Sequence, residues 1–435
     1  MGIFKAYDVR GKYPREIDES FAERLGGAVA RFLGARRIAL GHDARLSAPS
    51  IAEAAARGAG CEVVHIGRCT TPMLSFAVGH LGLDGGLMVT ASHNPPDDIG
   101  FKICREKASP IGERTGLKEI EKLSADPAPG GSRIVRRSLT PEYRKHLRGR
   151  ISAVPRLKVV VDTAHGSVGP VFDAVFGDLP LEFVRLCFEP DGRFPSHEPN
   201  PLKDENVRDL VAAMKESGAD LGVAFDGDGD RCMFFGPGGR RLRSDLITVL
   251  LARAELRTRP GAAIVYDLRS SRVVPEEILK AGGVPVRERV GHSFIKETMR
   301  ARDASLGGEL SGHYYFRDHF FADSGLMAFA KLVDLLGREK TPLEDLLAPL
   351  RRWSSTGEIN FQVPDKKAVL DRIAREFADG RQDTLDGITV EYDDWWFNVR
   401  PSNTEPLLRL NLEARTPELL EQARKRILPL LGRPV

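Results

Sequence analysis

Short apolar runs, each closing on an aspartate, recur along the chain up to about Trp353. Ile38 Ala39 Leu40 leads to Asp43, Val159 Val160 Val161 to Asp162, and Ile264 Val265 Tyr266 to Asp267. After each aspartate comes a small polar or Arg-rich loop, then a proline (Pro49, Pro170, Pro275) near an expected helix start. Continuous apolar runs of this length suit strands buried on both faces, so the pattern predicts three copies of one α/β unit. A second apolar strand follows in each copy and spills into a loop dense with chemistry. Leu87–Val89 feeds Thr90 to Pro95, Leu221–Phe225 feeds Asp226 to Arg231, and Leu306–Gly308 feeds Glu309 to His313. Three equivalent loops with three different side-chain sets suit one shared cleft.

The first of these loops follows a well-punctuated stretch. Thr71 and Pro72 read as an N-cap and first helical residue, Gly79 as the helix end, and Gly85 and Gly86 as the break before the strand. Pro95 and Pro96 bar an early helix, which leaves Ser92 on a stiff loop at the carboxyl end of a strand, where ligands gather in open α/β sheets. Ser124 to Ser132 (SADPAPGGS) and Pro237 Gly238 Gly239 mark turns near the ends of the first two units. Beyond Trp353 the pattern alternates around Ile359–Val363 and Ile388–Tyr392, with helical stretches between and after. The expected fold class is therefore α/β: three repeated α/β domains with mixed sheets around a cleft (1–137, 138–240, 241–352), plus a C-terminal α+β domain (353–435).

Length and composition narrow the function. At 435 residues, 42% hydrophobic and 29% charged, the chain can bury several cores. A net charge of +3 gives no case for nucleic-acid or membrane partners and leaves small molecules. The five cysteines are scattered without a C-x-x-C pair, as expected of reduced thiols in a cytoplasmic protein. Charges at Lys5, Asp8 and Arg10 interrupt any signal-peptide core, and no apolar run reaches membrane-spanning length.

Asp226, Asp228 and Asp230 alternate with glycines, so the backbone can curl and three carboxylates converge. Two like charges about 4 Å apart repel by roughly 4 kcal/mol at an effective dielectric of 20, so such a cluster calls for a cation. Hard oxygen ligands choose Mg²⁺ or Ca²⁺. The EF-hand pattern fails because its sixth position would be Arg231 and its twelfth Pro237, which leaves Mg²⁺. Arg231 adds a guanidinium fork for substrate oxygens. Arg400 Pro401 Ser402 Asn403 Thr404 Glu405 Pro406 offers a phosphate cradle without a P-loop, or a plain turn. Glu309, Ser311 and His313 carry groups that read sugar hydroxyls, or form a structural turn. In Tyr7 Asp8 Val9 Arg10, Arg10 either pairs with Asp8 or reaches into the cleft. Ser92 beside His93 invites a hydrolase reading, but no G-x-S-x-G elbow is present.

TASHNP, DGDGDR, GELSGH and RPSNTEP, in this order and one to a domain, resemble the α-D-phosphohexomutase superfamily over nearly the whole chain. The resemblance implies a heart-shaped arrangement of domains and an active-site phosphoserine at Ser92. It implies Mg²⁺ held by Asp226, Asp228, Asp230 and the Ser92 phosphate, with acid/base or positioning roles for Arg10, His93 and Lys102. Substrate contacts fall to Tyr7, Arg231 and His292, sugar contacts to Glu309, Ser311 and His313, and phosphate contacts to Arg400, Ser402, Asn403 and Thr404. The implied reaction interconverts hexose 1- and 6-phosphates through a hexose 1,6-bisphosphate.

SNTEPLLRLNLEA from Ser402, GELSGHYYF and the opening FKAYDVRG resemble the bifunctional phosphomannomutase/phosphoglucomutase branch. Phosphoglucosamine mutases usually read SGTEP in the tail motif and form the alternative. A haloacid-dehalogenase-like phosphatase with Asp226 as nucleophile is a further alternative, opposed by Asp230 where Thr or Val is expected. Two positions depart from the pattern: Ile99 stands where the family has the Asn of Asn-Gly-x-Lys, and Arg269 where this branch has a lysine.

Overall fold

The computed structural model describes residues 2–402 and 407–435. Each of the first three units is a mixed sheet flanked by helices, and the repeat seen in the apolar pattern is a repeat of topology. In every copy the strand that ends near the aspartate lies parallel to the strand that feeds the loop. Arg37–His42 pairs with Gly85–Val89, Lys158–Asp162 with Leu221–Phe225, and Ala263–Asp267 with Leu306–Gly308. The chain then returns antiparallel through Asp98–Arg105, Cys232–Gly236 and Tyr314–Phe316. The loop between the second parallel strand and its antiparallel return strand is thus projected from the same sheet end in each copy.

The three strand-end aspartates share one local device. Their Oδ1 accepts the N–H two residues on: Arg45 to Asp43 at 3.0 Å, Ala164 to Asp162 at 2.9 Å and Arg269 to Asp267 at 2.8 Å. Helices Ala48–Gly58, Val168–Phe176 and Val273–Lys280 start just beyond, each with its proline in the first turn, where a missing N–H costs nothing.

The last unit is a five-stranded sheet, antiparallel throughout, in the order Ser354–Phe361, Leu408–Ala414, Trp395–Pro401, Ile388–Glu391, Arg381–Asp383. Helices Lys366–Glu376 and Pro417–Leu431 complete it. Its buried residues form a cluster of their own, whereas one apolar cluster runs through units I, II and III together. No helix among the described residues is long and apolar enough to cross a membrane, and the five cysteines form no disulfide.

Two expectations about the helix before the Ser92 strand are corrected. Thr70, not Thr71, is the N-cap of Thr71–His80, its side chain accepting from the Met73 N–H. The helix runs past Gly79 to a cap at Leu81. Gly79 is small because the Phe320 ring of unit III lies 2.5 Å from where its Cβ would be.

Candidate active site

Ser92 sits in the left-handed region, at φ 49°, a conformation a non-glycine residue holds only when its surroundings enforce it. The enforcing group is Arg45, whose side chain is wholly buried. Its guanidinium donates to the carbonyls of Ser92 (3.0 Å), Asn94 (2.7 Å), Pro95 (2.5 Å) and Asp98 (2.9 Å), while Nε lies 3.2 Å from Asp43. Thr90 adds a second brace, donating to Asp43 at 2.7 Å and accepting the Ser92 N–H at 2.8 Å. A planar, permanently charged fork thus holds the loop between strand and return strand.

The acidic loop of unit II closes on this serine. The Ser92 hydroxyl donates to Asp226 Oδ2 at 2.7 Å. Gly227 comes so near that a Cβ would lie 2.7 Å from the Ser92 carbonyl oxygen, so only glycine permits the approach. Thr71, freed from capping, donates its hydroxyl to Asp228 at 2.5 Å, and its N–H donates to the Asp228 carbonyl. Asp226, Asp228 and Asp230 are all buried, with ligand oxygens within 4.8 Å of one another. Lys102 donates to Asp228 at 2.7 Å and also to Asp230.

The electrostatics follow from that crowding. Burial, together with repulsion from Asp230 and Asp228, pushes Asp226 well above the ordinary carboxylate range. Asp230 is pulled well below it because Lys102, His313 and Arg231 outweigh its burial. Lys102 is raised, since Asp228 and Asp230 overcome the burial that would discharge it. Burial, with Arg231, Arg10 and Lys102 nearby, holds His93 well below an ordinary histidine, so its imidazole is neutral near pH 7; Nδ1 lies 3.4 Å from the Ser92 hydroxyl. Asp228 Oδ1 and Asp230 Oδ1 are buried without a hydrogen-bond partner among the described residues. Orphaned, anionic oxygens of this kind fit a hard divalent cation, and the cluster could bind a metal ion.

Arg10 does both things its sequence allowed. It pairs with Asp8 at 2.8 Å and donates to Asn94 at 2.6 Å, which carries the first strand Val9–Lys12 to the serine loop. Arg231 donates through Nε to His313 Nε2 at 3.0 Å, joining units II and III. His313 Nδ1 in turn lies 2.9 Å from Asp323, and Asp323 lies 2.7 Å from Lys296. The rings of Tyr7 and His292 meet edge to face with centroids 5.3 Å apart, and His292 stands 6.0 Å from His313. Burial with Lys296 close by drops His292 to about 3. Glu309 accepts from the Tyr315 hydroxyl at 2.9 Å, and Ser311 is half-buried in the same turn as the buried His313.

Arg400 lies in unit IV, away from the serine, and donates to Glu358 at 3.0 Å. Arg409 at 3.2 Å and Arg269 at 3.5 Å converge on the same carboxylate. Arg269 also reaches Asp267 and Glu309, so this departure from lysine links the sugar loop of unit III to the arginines of unit IV. Ser402 is buried beside them, while Asn403 and Thr404 lie outside the described residues. Ile99, the other departure, is fully buried among the apolar residues of unit I.

Sequence reasoning missed Arg45, Thr71, Thr90, Lys296, Asp323 and Glu358. Arg45 alone carried a local signal, two residues after a strand-end aspartate, as Arg269 does.

The comparisons agree with this geometry. The family patterns for phosphoglucomutase/phosphomannomutase alpha/beta/alpha domains I, II and III match residues 1–128, 141–239 and 243–352, and that for the C-terminal domain matches 358–430. The chain is 43% identical to "Phosphohexose mutases" of Xanthomonas campestris pv. campestris, covering 98% of this chain and 97% of that one. It is 41% identical to a phosphomannomutase of Salmonella montevideo, covering 99% of each. A crystal structure of a phosphoglucomutase/phosphomannomutase family protein from Burkholderia thailandensis superposes with a TM-score of 0.91 at 33% identity, covering 99% of this chain and 96% of that one. With a braced serine, a buried acidic cluster and all four domains in register, the chain belongs to the phosphoglucomutase/phosphomannomutase family.

Proposed function

We propose that the protein is a phosphohexomutase interconverting the 1- and 6-phosphates of mannose and/or glucose, with Ser92 as carrier of the phosphoryl group. The observation that carries this reading is the 2.7 Å contact between the Ser92 hydroxyl and Asp226, inside a cleft that also holds Lys102 and His93. Ser92 passes its phosphoryl group to the free hydroxyl of a bound hexose phosphate, giving a hexose 1,6-bisphosphate. The sugar turns over and the other phosphoryl group returns to Ser92. Lys102, kept charged by its carboxylates, offsets charge on the transferring group, while neutral His93 is able to accept a proton. Arg10, pinned by Asp8 and Asn94, orients phosphoryl oxygens. Arg231 and His313, with Tyr7, His292, Glu309 and Ser311, line the sugar, and Arg400, Ser402, Asn403 and Thr404 hold the distal phosphate. Asp226, Asp228, Asp230 and the Ser92 phosphate would hold Mg²⁺, which when bound neutralises phosphoryl oxygens as a Lewis acid.

The reading also carries unit boundaries after 137, 240 and 352, a cytoplasmic location, and activation by hexose 1,6-bisphosphate. Phosphopeptide mass spectrometry of active protein finds phosphate on Ser92, and Ser92→Ala loses nearly all turnover of glucose 1-phosphate and mannose 1-phosphate. Label on Asp226 would instead support a phosphatase. Chelation stops turnover and Mg²⁺ restores it; full activity in EDTA would remove the metal from the scheme. A kcat/KM for glucosamine 6-phosphate above those for both hexose phosphates would move the chain to the amino-sugar branch.

A further inference from the structure

The three strand-end aspartates are alike in backbone and unlike in partner. In unit I the second carboxylate oxygen of Asp43 faces Arg45 Nε at 3.2 Å, and in unit III that of Asp267 faces Arg269 Nη2 at 2.7 Å. Unit II has Ala164 at the matching position. Asp162 Oδ2 instead faces His197 Nε2 at 3.1 Å, with Cys187 Sγ 3.9 Å from that same nitrogen. We propose that Asp162, Cys187 and His197 form a binding site for a borderline-soft divalent transition-metal cation such as Zn²⁺, separate from the Asp226 cluster.

Each residue of the set is held by a second contact, on the side chain of His197 and Asp162 and on the backbone of Cys187. His197 Nδ1 lies 2.9 Å from the Glu198 carbonyl, which can only accept, so Nδ1 carries the proton and Nε2 is the atom left for a metal. Asp162 is 1% exposed, and its Oδ1 is taken by the Ala164 N–H. Cys187 stands at φ 55°, its carbonyl accepting from the Thr163 hydroxyl at 2.8 Å and the His165 N–H at 2.9 Å, which holds its backbone in place. The three donor atoms lie within 4.8 Å of one another. Tetrahedral zinc, with bonds of about 2.0–2.3 Å, wants its donors roughly 3.3–3.6 Å apart, so small side-chain adjustments suffice. One sulfur, one nitrogen and one oxygen suit zinc-class ions and not Mg²⁺. An ion pair accounts for Asp162 and His197 but leaves the thiol aimed at the same nitrogen without a purpose.

The proton balance is defined. Binding exchanges any proton on His197 Nε2 and on the Cys187 thiol for metal–nitrogen and metal–sulfur bonds, the displaced protons passing to solvent, and the Asp162 carboxylate adds a metal–oxygen bond. The site would pin the segment that reaches from Cys187 to Pro199. Gly192 in that segment packs against the backbone of Ala44 to Leu46 in unit I, and Pro199 packs against Gly227 of the acidic loop.

This inference is independent of the mutase reading, and its test reads no activity. Co²⁺ added to the EDTA-treated, dialysed full chain in excess Mg²⁺ gives one equivalent of a near-ultraviolet thiolate-to-cobalt band. Cys187→Ser abolishes the band, and His197→Gln weakens binding at least about tenfold. Asp226→Asn leaves the band in place. No band in folded protein, or a band that survives Cys187→Ser, overturns the proposal. Should the variants fail to fold, nitrogen-15 spectra of the unmodified protein decide: protons on both ring nitrogens of His197 at saturating Zn²⁺ near pH 7.5 mean a plain ion pair and overturn the proposal.

Discussion

Two seams hold this molecule together, and they are made of different material. Units I, II and III share one apolar cluster, and rings from all three (Phe76, Tyr143, His146, His319) are stacked or tilted against one another where they meet. Unit IV keeps its own core and meets unit III through charge. Arg243 faces Glu413 at 3.6 Å, and the Arg272 N–H donates to that carboxylate at 3.0 Å while its side chain donates to the Asp393 carbonyl at 2.7 Å. Arg287 grips Asp383 and Glu391. Apolar packing fixes relative position because any shift opens voids, whereas ion pairs at a partly wet seam can be exchanged at little cost. The atoms that must be placed to a fraction of an ångström, around Ser92 and Asp226, are braced from the packed seam. Arg400, proposed above to hold the distal phosphate of a turning sugar, is carried by the unit on the charged one.

The largest effect comes from breaking the packed side at Arg45. Arg45→Met leaves Asp43 buried without its partner and four loop carbonyls without their donor. Removing one member of a buried pair costs about 3–5 kcal/mol, so urea unfolding shows a loss of that order and turnover collapses. Near wild-type kinetics in the variant would mean that the loop holds Ser92 unaided. On the charged side the loss is smaller. Arg400→Ala removes a charged hydrogen bond worth about 1.5–3 kcal/mol, roughly ten- to over a hundredfold in kcat/KM, in both reaction directions, because one cradle serves both half-reactions. Ser92 is still phosphorylated by bisphosphate, more slowly. Wild-type values in both directions would remove Arg400 from the site.

Acid separates the seams next. His146 Nε2 lies 3.1 Å from His319 Nδ1, and His319 Nε2 lies 3.1 Å from the Pro72 carbonyl, so the two rings form a neutral chain across units I, II and III. Arg150, Asp318, His80 and Lys331 face His146; Asp323 and Lys296 face His319. Burial first, then Arg150 for the one and His146 for the other, lower them to about 4 and about 3. Their contribution is whole above pH 6.5 and drains as pH falls towards those values, by up to about 1.4 kcal/mol per pH unit for each ring. Residues 353–435 contain no histidine. Glu391 in that stretch is lowered, Arg381 and Arg287 outweighing its burial, so its share persists until the carboxylate range. Urea midpoints taken from pH 7.5 to pH 5 therefore fall, and fall less in a His146→Gln, His319→Gln variant; equal slopes in both proteins would place the acid sensitivity elsewhere.

What the sequence disclosed follows the same division. Strand-end aspartates and the loops at Ser92, Asp226 and Glu309 were legible because buried strands read as apolar runs and the repeat sets three of them side by side. The Asp8–Arg10 pair was legible because its members are two residues apart. Arg45 reaching four carbonyls some fifty positions on, Thr71 turned from cap to Asp228 partner, and Glu358 gathering three arginines depend on contacts that no local period records. Thr70 beat Thr71 as the cap because the cap must stay extended, at φ −88° and ψ 155°, which two adjacent threonines do not reveal. The histidine chain of the packed seam joins residues of three units and was equally silent.

The smallest effect is the most direct probe of the charged seam. Arg287 and Glu391 are 26% and 14% exposed in their side chains, so water and salt still reach the pair. A double-mutant cycle of Arg287→Gln and Glu391→Gln yields a coupling on the order of 0.2–1 kcal/mol, the size of a partly solvated ion pair. Raising salt from about 0.1 M to about 1 M shortens the screening length from roughly 10 Å to roughly 3 Å, and the coupling shrinks with it. Arg45 is beyond the reach of that screening, so the loss in Arg45→Met is the same at both salt concentrations. A coupling of several kcal/mol that ignores salt would make unit IV as fixed as the rest, and the cradle would then have to accommodate both ends of the sugar without moving.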